Sequence, residues 1–273
     1  MLNRKGFIYR VNLNIPRLPV SLEGLRIAHL TDLHVTRPRR RFDRIRTLLA
    51  NVRVDLIVMT GDYINREGDE EACTQVMTRL TDLLRPRLGI YGVYGNHDTP
   101  KLKERLAKLP IHWLNNEMYW LDEAPVLLMG FAADTTRKPD SIAMLIGDGE
   151  HTGRPVVKGD QAGESLRLLL SHYPHYLPVA ADLDVDIMLT GHTHGGQCRL
   201  PGGRALTNGC DLPLRMSSGI LRHRQTLAVV SRGLGEVRLP FRLFCPHQLP
   251  VYTLRRGPLP GRTIDYIETV RRW

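Results

Sequence analysis

Short apolar runs recur along the chain, and most of them end in a loop that carries polar side chains. These runs cover residues 25–30, 54–59, 89–94, 166–170 and 185–190. Their length, their β-branched content and the glycines or polar residues that follow them predict buried strands. Residues 7–15 instead alternate apolar and polar positions, which predicts an edge or half-exposed strand.

Segments with helical spacing lie between the first strands. Residues 41–52 place their apolar side chains on one helical face, and residues 70–84 predict a second helix. Thr99 is a good N-cap, and Pro100 suits the first helical position of a helix over residues 101–109. This alternation predicts an α/β fold, in which functional side chains collect at the carboxyl ends of the strands.

The second half of the chain is less regular. Residues 118–121 and 126–131 predict short strands, and residues 221–224 and 226–232 predict a hairpin that closes a second sheet. Residues 132–163 are rich in Gly, Pro, Asp and Lys, which predicts a loop-bearing insertion with a short helix at its centre, over residues 141–146.

The last segment, residues 263–273, spaces Ile264, Ile267, Val270 and Trp273 three residues apart. This spacing predicts a helix packed on the body of the protein or a frayed tail, with a helix at a membrane surface as a less favoured alternative. We found no internal repeat and predict one domain over residues 1–273.

The composition is that of a globular protein with a basic surface. The formal net charge is +10, so the surface field attracts anions such as nucleotides or acidic lipid headgroups. Nucleic acid is disfavoured as a partner because the chain has no homogeneous basic tail. The four cysteines show no CxxC spacing, and neither a signal-peptide core nor a membrane span is evident. We therefore expect a soluble cytoplasmic protein, with peripheral attachment to the inner membrane surface as an alternative.

Eight polar residues follow the predicted strands: Asp32, His34, Asp62, Asn96, His97, His172, His192 and His194. Carboxylate, amide and imidazole donors together suit manganese, iron or zinc. One metal ion would be crowded by so many donors, whereas two ions about 3.5–4 Å apart could share Asp62 as a bridging carboxylate.

The loop that carries His192 and His194 is the centre of this prediction. In an extended His-x-His segment both rings would point to the same side and face one cavity. The alternative is a glycine-rich turn with two solvated histidines.

In chain order, the motifs Asp32-x-His34, Gly61-Asp62, Gly95-Asn96-His97-Asp98, His172 and Gly191-His192-Thr193-His194 resemble the full motif set of the calcineurin-like metallophosphoesterases. Residues 11–25, residues 231–235 and the Gly195-Gly196-Gln197 extension resemble more narrowly the bacterial YaeI/YkuE-like branch.

The resemblance implies a four-layer α-β-β-α sandwich of two mixed sheets with a site for two divalent metal ions, manganese first and iron or zinc as alternatives. One ion would be held by Asp32, His34, Asp62 and His194. The other would be held by Asp62, Asn96, His172 and His192. His97 would be catalytic and would assist the leaving group beside the phosphate.

Two positions next to these motifs bear on the reaction. Asn65 stands where the family's phosphoprotein phosphatases have the Asp that pairs with the catalytic histidine, which argues against a protein phosphatase. Arg66 matches a phosphate-binding arginine of the family, and a solvated surface charge is an equal alternative.

The resemblance implies hydrolysis of a phosphodiester, pyrophosphate or phosphomonoester bond by metal-bound hydroxide. The substrate would be a phosphorylated small molecule or a lipid-linked compound, and some relatives in this branch cleave the pyrophosphate of UDP-2,3-diacylglucosamine in lipid A synthesis. The basic charge would suit contact with an anionic membrane. The alternative function is a catalytically silent metal- or anion-binding protein on the same fold.

For several other residues we favour a structural role over a catalytic or metal-binding role. We expect His29, inside a strand, to be a core residue, and His112, His151, His175, His223 and His247 to lie at the surface. Asp98 and Asp134 are candidates to orient ligand histidines. Cys198 is expected to be a small buried hydrophobe.

Overall fold

Two mixed sheets form the centre of the protein, for which the computed structural model describes residues 8–133, 165–261 and 267–273. The first sheet contains, in spatial order, β1 (Ile8–Ile15), β12 (Leu249–Arg256), β2 (Arg26–Leu30), β3 (Leu56–Thr60), β4 (Ile90–Val93) and β5 (His112–Trp113). The second contains, in spatial order, β13 (Glu268–Arg271), β10 (Gly219–His223), β11 (Thr226–Val230), β9 (Ile187–Thr190), β8 (Leu166–Ser171), β7 (Val126–Phe131) and β6 (Glu117–Trp120).

The inner strands of both sheets run parallel. In the first sheet β2, β3, β4 and β5 are parallel neighbours, and β12 is antiparallel to β2 but parallel to β1. In the second sheet β7, β8, β9 and β11 are parallel neighbours, whereas β6, β10 and β13 pair antiparallel. The carboxyl ends of the parallel strands therefore meet along one edge of each sheet.

Helices cover the outer faces of the sheets. The helices are α1 (Arg40–Ala50), α2 (Glu70–Leu83), α3 (Pro100–Leu106) and α4 (Leu177–Asp182), and short 3₁₀ turns occupy Val20–Leu22, Pro174–Tyr176, His194–Gly196 and Leu214–Met216. The buried faces of α1, α2 and α3 share one core cluster with the first sheet, and α4 shares another with the second sheet.

A third core cluster lies between the sheets. It joins Leu13 and Val58 of the first sheet to Leu168 and Val229 of the second, all of them fully buried or nearly so. The order of layers is thus helix, sheet, sheet, helix, which confirms the predicted four-layer α-β-β-α architecture.

Most of the predicted elements are confirmed to within a few residues. Thr99 caps α3 as expected, because its side chain accepts a hydrogen bond from the Leu102 backbone N–H at 3.2 Å. The predicted hairpin is the antiparallel pair β10 and β11. The edge strand predicted over residues 7–15 is β1, at the margin of the first sheet. Most of the insertion over residues 132–163, including the helix predicted at 141–146, lies outside the described residues.

One prediction for the end of the chain is wrong, and one strand was not predicted. The last segment is not helical where it is described, because β13 pairs with β10 as an antiparallel edge strand. The strand that was not predicted is β12, which lies in the first sheet between β1 and β2. In both cases a distant partner strand decides the conformation, and local spacing does not record that partner.

The histidines outside the strand-end loops follow the predictions in part. His29 is fully buried on β2, where Tyr252 Oη lies 3.1 Å from Nδ1 and Thr60 Oγ1 lies 2.7 Å from Nε2. His112 and His175 are exposed, as expected. The surface prediction is wrong for His223, which is buried within β10.

His247 is also not a free surface residue, because its Nε2 lies 2.6 Å from the Glu236 carboxylate. His151 lies outside the described residues. Within the described ranges, no helix combines the length and the apolar character that a bilayer crossing requires.

We predict that His29 makes folding stability depend on pH. Burial lowers the pKa of His29 from 6.5 to about 3, so the folded protein keeps this ring neutral while the unfolded chain protonates it. The stabilisation is therefore fully present above pH 6.5 and is lost as the pH falls toward 3, by about 1.4 kcal/mol per pH unit. Urea unfolding of the wild type and of His29→Gln across this range isolates the effect, since all other titrating groups are common to both proteins. Parallel curves for the two proteins would contradict the prediction.

Candidate metal centre

The candidate centre lies where the loops after five parallel strands meet. β2 leads to Asp32 and His34, β3 to Asp62, β4 to Asn96 and His97, β8 to His172, and β9 to His192 and His194. Five of these residues have a left-handed backbone, with φ between 42° and 68°: Asp32, His34, Asp62, His192 and His194. Such conformations are unfavourable for non-glycine residues and persist where the surrounding structure enforces them, which is common at functional sites.

Glycines allow these loops to approach one another. Gly61 has φ +89°, and a Cβ atom there would collide with the Gly95 backbone in the neighbouring loop. A Cβ atom at Gly191 would collide with Thr31 Oγ1 and Asp32 Oδ2. The motif glycines are therefore required by the contacts between loops, and not only by the turns in which they lie.

A first group of donors comprises Asp32, His34, Asp62 and His194, all of them buried. Their nearest ligand atoms all lie within 4.8 Å of one another. His34 Nε2 is 3.0 Å from His194 Nε2, and His194 Nε2 is 3.5 Å from Asp32 Oδ1. Two imidazoles and two carboxylates thus converge on one point.

A second group comprises Asp62, His172 and His192, again within 4.8 Å of one another. His172 Nε2 is 3.1 Å from Asp62 Oδ2 and 3.2 Å from His192 Nδ1. Asn96 lines the same cavity as Asp62 and His192, and its role as a ligand of this second group stays a prediction.

One oxygen atom of Asp62 is common to both groups. Asp62 Oδ2 lies 3.5 Å from His34 Nε2 in the first group and 3.1 Å from His172 Nε2 in the second. The other oxygen, Oδ1, accepts a hydrogen bond from the His97 backbone N–H at 2.9 Å, which fixes the rotation of the carboxylate. Asp62 thus lies where a bridging carboxylate would have to be, and the bridge itself stays a prediction.

The two histidines of the second group are oriented by backbone carbonyl groups. His172 donates from Nδ1 to the Thr60 carbonyl at 2.7 Å, so its Nε2 faces the centre. His192 Nε2 lies 3.1 Å from the Gly209 carbonyl oxygen, so the Nδ1 atom of His192 faces the centre. Hydrogen bonds of this kind select the tautomer in which the inward nitrogen can bind a metal ion.

The His192-Thr193-His194 segment is a tight turn, which corrects the extended conformation expected from the sequence. His192 and His194 both have positive φ, and His194 begins a 3₁₀ turn. Their rings consequently enter different donor groups, although both line one cavity. Side chains in this loop do not alternate with a period of two residues as they do in a strand, because the left-handed residues turn the chain.

Burial dominates the electrostatics of the centre. It raises the pKa of Asp32 to about 6 and lowers the pKa values of His34 to about 3 and of His192 to about 4. Burial also opposes a charge on His172, but the Asp62 carboxylate outweighs it and raises the pKa of His172 to about 9. Burial acts against ionised Asp62 as well, yet His172 keeps the pKa of that carboxyl well below its usual range.

The donors fit a bound cation. Asp32 Oδ2 is buried and has no hydrogen-bond partner among the described residues, and a buried carboxylate oxygen without a partner is costly. A divalent cation bound by the Asp32 carboxylate would offset both its burial and its proximity to Asp62. Neutral imidazoles at His34, His192 and His194 are in the protonation state that metal binding requires.

His97 lies beside the donor groups and is oriented by the chain. Its Nδ1 donates to the backbone carbonyl of Asn65 at 2.8 Å, so its Nε2 is the nitrogen free to exchange a proton. Its ring meets that of His34 edge-on, with the ring centroids 4.9 Å apart. A main-chain oxygen of Asn65 therefore holds the ring at the position where the protein phosphatases have an Asp side chain.

Asp98 does not orient a ligand histidine, contrary to the expectation from the sequence. Its carboxylate accepts hydrogen bonds from the backbone N–H groups of Asp62, Tyr63 and Gly95, at 3.0, 2.8 and 2.7 Å. Asp98 thus ties the loop after β3 to the loop after β4. Asp134, the other candidate for the orienting role, lies outside the described residues.

The centre opens into a cavity of about 380 Å³. Besides the donors, its lining includes His97, Gln197, Cys198, Arg238 and Leu239. Cys198 is half-buried at this wall and is not the fully buried hydrophobe that we expected. Within the described residues the lining does not include Arg66, whose side chain is exposed, and the cation at the cavity wall is Arg238.

Arg242 is a further residue that the sequence did not reveal. Its guanidinium donates to the carbonyl oxygens of Arg232, Gly235 and His194, and lies 3.3 Å from His194 Nδ1. It therefore connects the 232–235 turn to the loop that carries His194. The only sequence signal was an arginine between large apolar residues in the segment from Pro240 to Pro246.

Comparisons with known proteins agree with this geometry. Residues 25–196, which include every predicted ligand, match the family model described as calcineurin-like phosphoesterase. The uncharacterised metallophosphoesterase YkoQ of Bacillus subtilis is 26% identical over 252 residues, which cover 87% of this chain and 90% of that protein.

Two further relatives have named activities. Phosphodiesterase YaeI of Escherichia coli is 29% identical over 181 residues, covering 64% of this chain and 63% of that protein. UDP-2,3-diacylglucosamine pyrophosphatase LpxG of Chlamydia trachomatis is 25% identical over 280 residues, covering 84% and 83%. These relatives confirm the resemblance to the YaeI/YkuE-like branch.

Among solved structures, a dimetal phosphatase from Danio rerio superposes with a TM-score of 0.44 at 14% sequence identity, over 85% of this chain and 93% of that one.

We predict that substitution of the shared carboxylate removes both metal ions, whereas substitution of one outer ligand removes one. Asp62→Asn weakens both donor groups, while His192→Ala affects only the second. Elemental analysis after dialysis against manganese should give about two ions per chain for the wild type, about one for His192→Ala and fewer than one for Asp62→Asn. His112→Ala, at an exposed histidine that belongs to neither donor group, is the matched control and should keep both ions. Two ions retained by Asp62→Asn would contradict the shared ligand.

Proposed function

This chain belongs to the calcineurin-like phosphoesterase family and is a metal-dependent phosphohydrolase, and we propose that it cleaves the pyrophosphate bond of a lipid-linked nucleotide such as UDP-2,3-diacylglucosamine. The observation that carries the proposal of a two-metal reaction is the position of Asp62 Oδ2 between two donor groups. The substrate proposal is supported by the LpxG relative, which is a UDP-2,3-diacylglucosamine pyrophosphatase.

We propose the following division of ligands. One divalent ion is held by Asp32, His34, Asp62 and His194, and the other by Asp62, Asn96, His172 and His192. Manganese is the first choice, with iron or zinc as alternatives, because oxygen and imidazole donors make up both sets. When bound, such a pair of ions neutralises charge on the phosphoryl group and activates water for attack.

The protein's own groups position and protonate the substrate in this proposal. The Asn65 carbonyl keeps a proton on His97 Nδ1, which leaves Nε2 to deliver a proton to the departing oxygen. A hydrogen bond from the His97 backbone N–H fixes the rotation of the Asp62 carboxylate. The proposed general acid, His97, and the shared ligand, Asp62, are therefore fixed relative to each other. Arg66, which matches a family phosphate-binding position, and Arg238, at the cavity wall, are the candidate phosphate-binding residues.

The absence of an Asp at position 65 supports a small-molecule substrate over a phosphoprotein. A backbone carbonyl, and not a carboxylate side chain, orients the His97 ring. The overall charge of +10 suits a substrate with a diphosphate. We propose that the enzyme works as a peripheral protein at an anionic membrane surface, where a lipid-linked substrate would be found.

We predict that His97→Ala lowers turnover by about 10²–10⁴-fold without removing metal, because a general acid contributes rate but not metal affinity. The measurement is manganese-dependent hydrolysis of a dinucleoside phosphodiester, whose alkoxide leaving group needs a proton, read beside the metal content of the same sample. The catalytically silent alternative predicts no hydrolysis by the wild type with any divalent ion. Unchanged turnover in His97→Ala would contradict the role given to this residue.

A second prediction concerns the substrate. UDP-2,3-diacylglucosamine should be hydrolysed to UMP and the acylated sugar phosphate with kcat/KM at least about tenfold above that for UDP-N-acetylglucosamine, which lacks the two acyl chains of the lipid precursor. Equal rates on both compounds would show that the acyl chains are not recognised. The family assignment would stand, and the lipid substrate would be excluded.

A further inference from the structure

Exposed apolar side chains are concentrated on two neighbouring loops. Within the described residues, six large hydrophobic side chains with 44–59% of their surface exposed lie in residues 198–206 and 237–245: Leu200, Leu206, Leu239, Phe241, Leu243 and Phe244. We call these two segments the apolar loops. The other strongly exposed residues of this type, Val20 and Leu83, lie elsewhere in the fold. A cluster of this kind on a charged protein is typical of an interaction site.

The two apolar loops form one surface because their backbones are bonded to each other. Cys198 and Leu243 form a parallel bridge, and the Arg199 N–H donates to the Leu243 carbonyl at 2.9 Å. The Gln197 side chain donates to the Leu239 carbonyl at 3.1 Å. These hydrogen bonds therefore hold together the backbone segments that carry the exposed side chains.

This surface adjoins the metal cavity. Cys198 of the first loop and Leu239 of the second line the wall of the cavity that contains His97 and the metal ligands. A partner that covered the apolar loops would lie at the mouth of the site.

The surroundings of the apolar loops are basic. Residues 197–207 and 237–249 contain no Asp or Glu. Glu236, just before the second loop, has its carboxylate bonded to Arg41 and His247. A second cavity of about 660 Å³ has four arginines and no carboxylate side chain among its described lining residues: Arg199, Arg204, Arg215 and Arg272.

We propose that the apolar loops dock the enzyme on an anionic lipid bilayer, with the phenylalanines and leucines entering the interface and the neighbouring arginines contacting lipid phosphates. An anionic bilayer matches both the apolar side chains and the neighbouring arginines, because the two together favour binding at the membrane interface. A symmetric dimer through the same face would bring the arginines of the two copies together, which is unfavourable. The orientation would place the metal cavity against the bilayer.

The inference deepens the proposed function, because it states how a lipid-linked substrate would reach the site. Docking is nevertheless measured without hydrolysis, so the two proposals can fail separately. Hydrolysis of bis-p-nitrophenyl phosphate without vesicle binding would overturn docking alone. Vesicle binding without any hydrolysis would leave docking intact and overturn the proposed reaction.

The test is flotation of the full chain with vesicles of phosphatidylcholine alone or mixed equally with phosphatidylglycerol. The wild type should bind the mixed vesicles, with affinity that falls as salt is raised. The double variant Phe241→Ser/Phe244→Ser should bind roughly tenfold more weakly, since two interfacial rings are lost. Val20→Ser/Leu83→Ser removes equally exposed apolar side chains elsewhere and should bind like the wild type.

A second pair of substitutions tests the electrostatic half of the proposal. Arg215→Gln/Arg272→Gln removes two exposed charges at the second cavity and should weaken binding to the mixed vesicles by roughly fivefold or more. All variants should keep wild-type hydrolysis of the soluble diester.

Three results would overturn the docking proposal: no binding of the wild type to mixed vesicles, binding by Phe241→Ser/Phe244→Ser that equals the wild type, or an equal loss in Val20→Ser/Leu83→Ser. If the wild type does not bind vesicles but forms a dimer, and Phe241→Ser/Phe244→Ser abolishes that dimer, the surface would be assigned to self-association instead.

Discussion

The interaction on which the site depends is the position of one buried carboxylate between two sets of imidazoles. Asp62 follows β3 in the middle of the first sheet, and its Oδ2 is within 3.5 Å of histidines from both sheets. This contact requires the loops after five strands to converge, and those loops reach their positions only because the sheets pack face to face over a common core. The fold and the centre are therefore specified by the same contacts.

Holding the donors in place has a free-energy cost that the surrounding structure offsets. Five donor residues adopt left-handed backbone conformations, each unfavourable by about 1–3 kcal/mol. Asp98 ties two of the loops together through three backbone N–H groups, and Arg242 links the His194 loop to the 232–235 turn. Burial lowers the pKa values of His34 and His194 and so keeps both imidazoles neutral. Rigidity and desolvation together prepare the donors for metal ions before any ion binds.

Local patterns predicted the alternation of strands and helices and the polar residues that follow the strands, whereas the four-layer arrangement and the division of ligands were implied by the family resemblance. Apolar runs followed by glycine and a polar donor mark the strand ends, and the β3, β4 and β9 loops could be predicted in this way. The strand β12 was missed because it pairs with β1, more than two hundred residues away in the chain. The contacts that His97 and Arg242 make with backbone carbonyls could not be predicted from the sequence, because every residue supplies a backbone oxygen. The clustering of exposed side chains on the apolar loops likewise became visible only when two distant segments were brought together.

The most direct test of the central claim is anomalous diffraction at the manganese edge from crystals of the full chain grown with manganese. The account predicts two peaks about 3.5–4 Å apart, with Asp62 Oδ2 bound to both ions, the Asp32 set around one and the His172 set around the other. A single peak, or two peaks of which only one contacts Asp62, would contradict the shared-carboxylate centre and with it the proposed two-metal reaction.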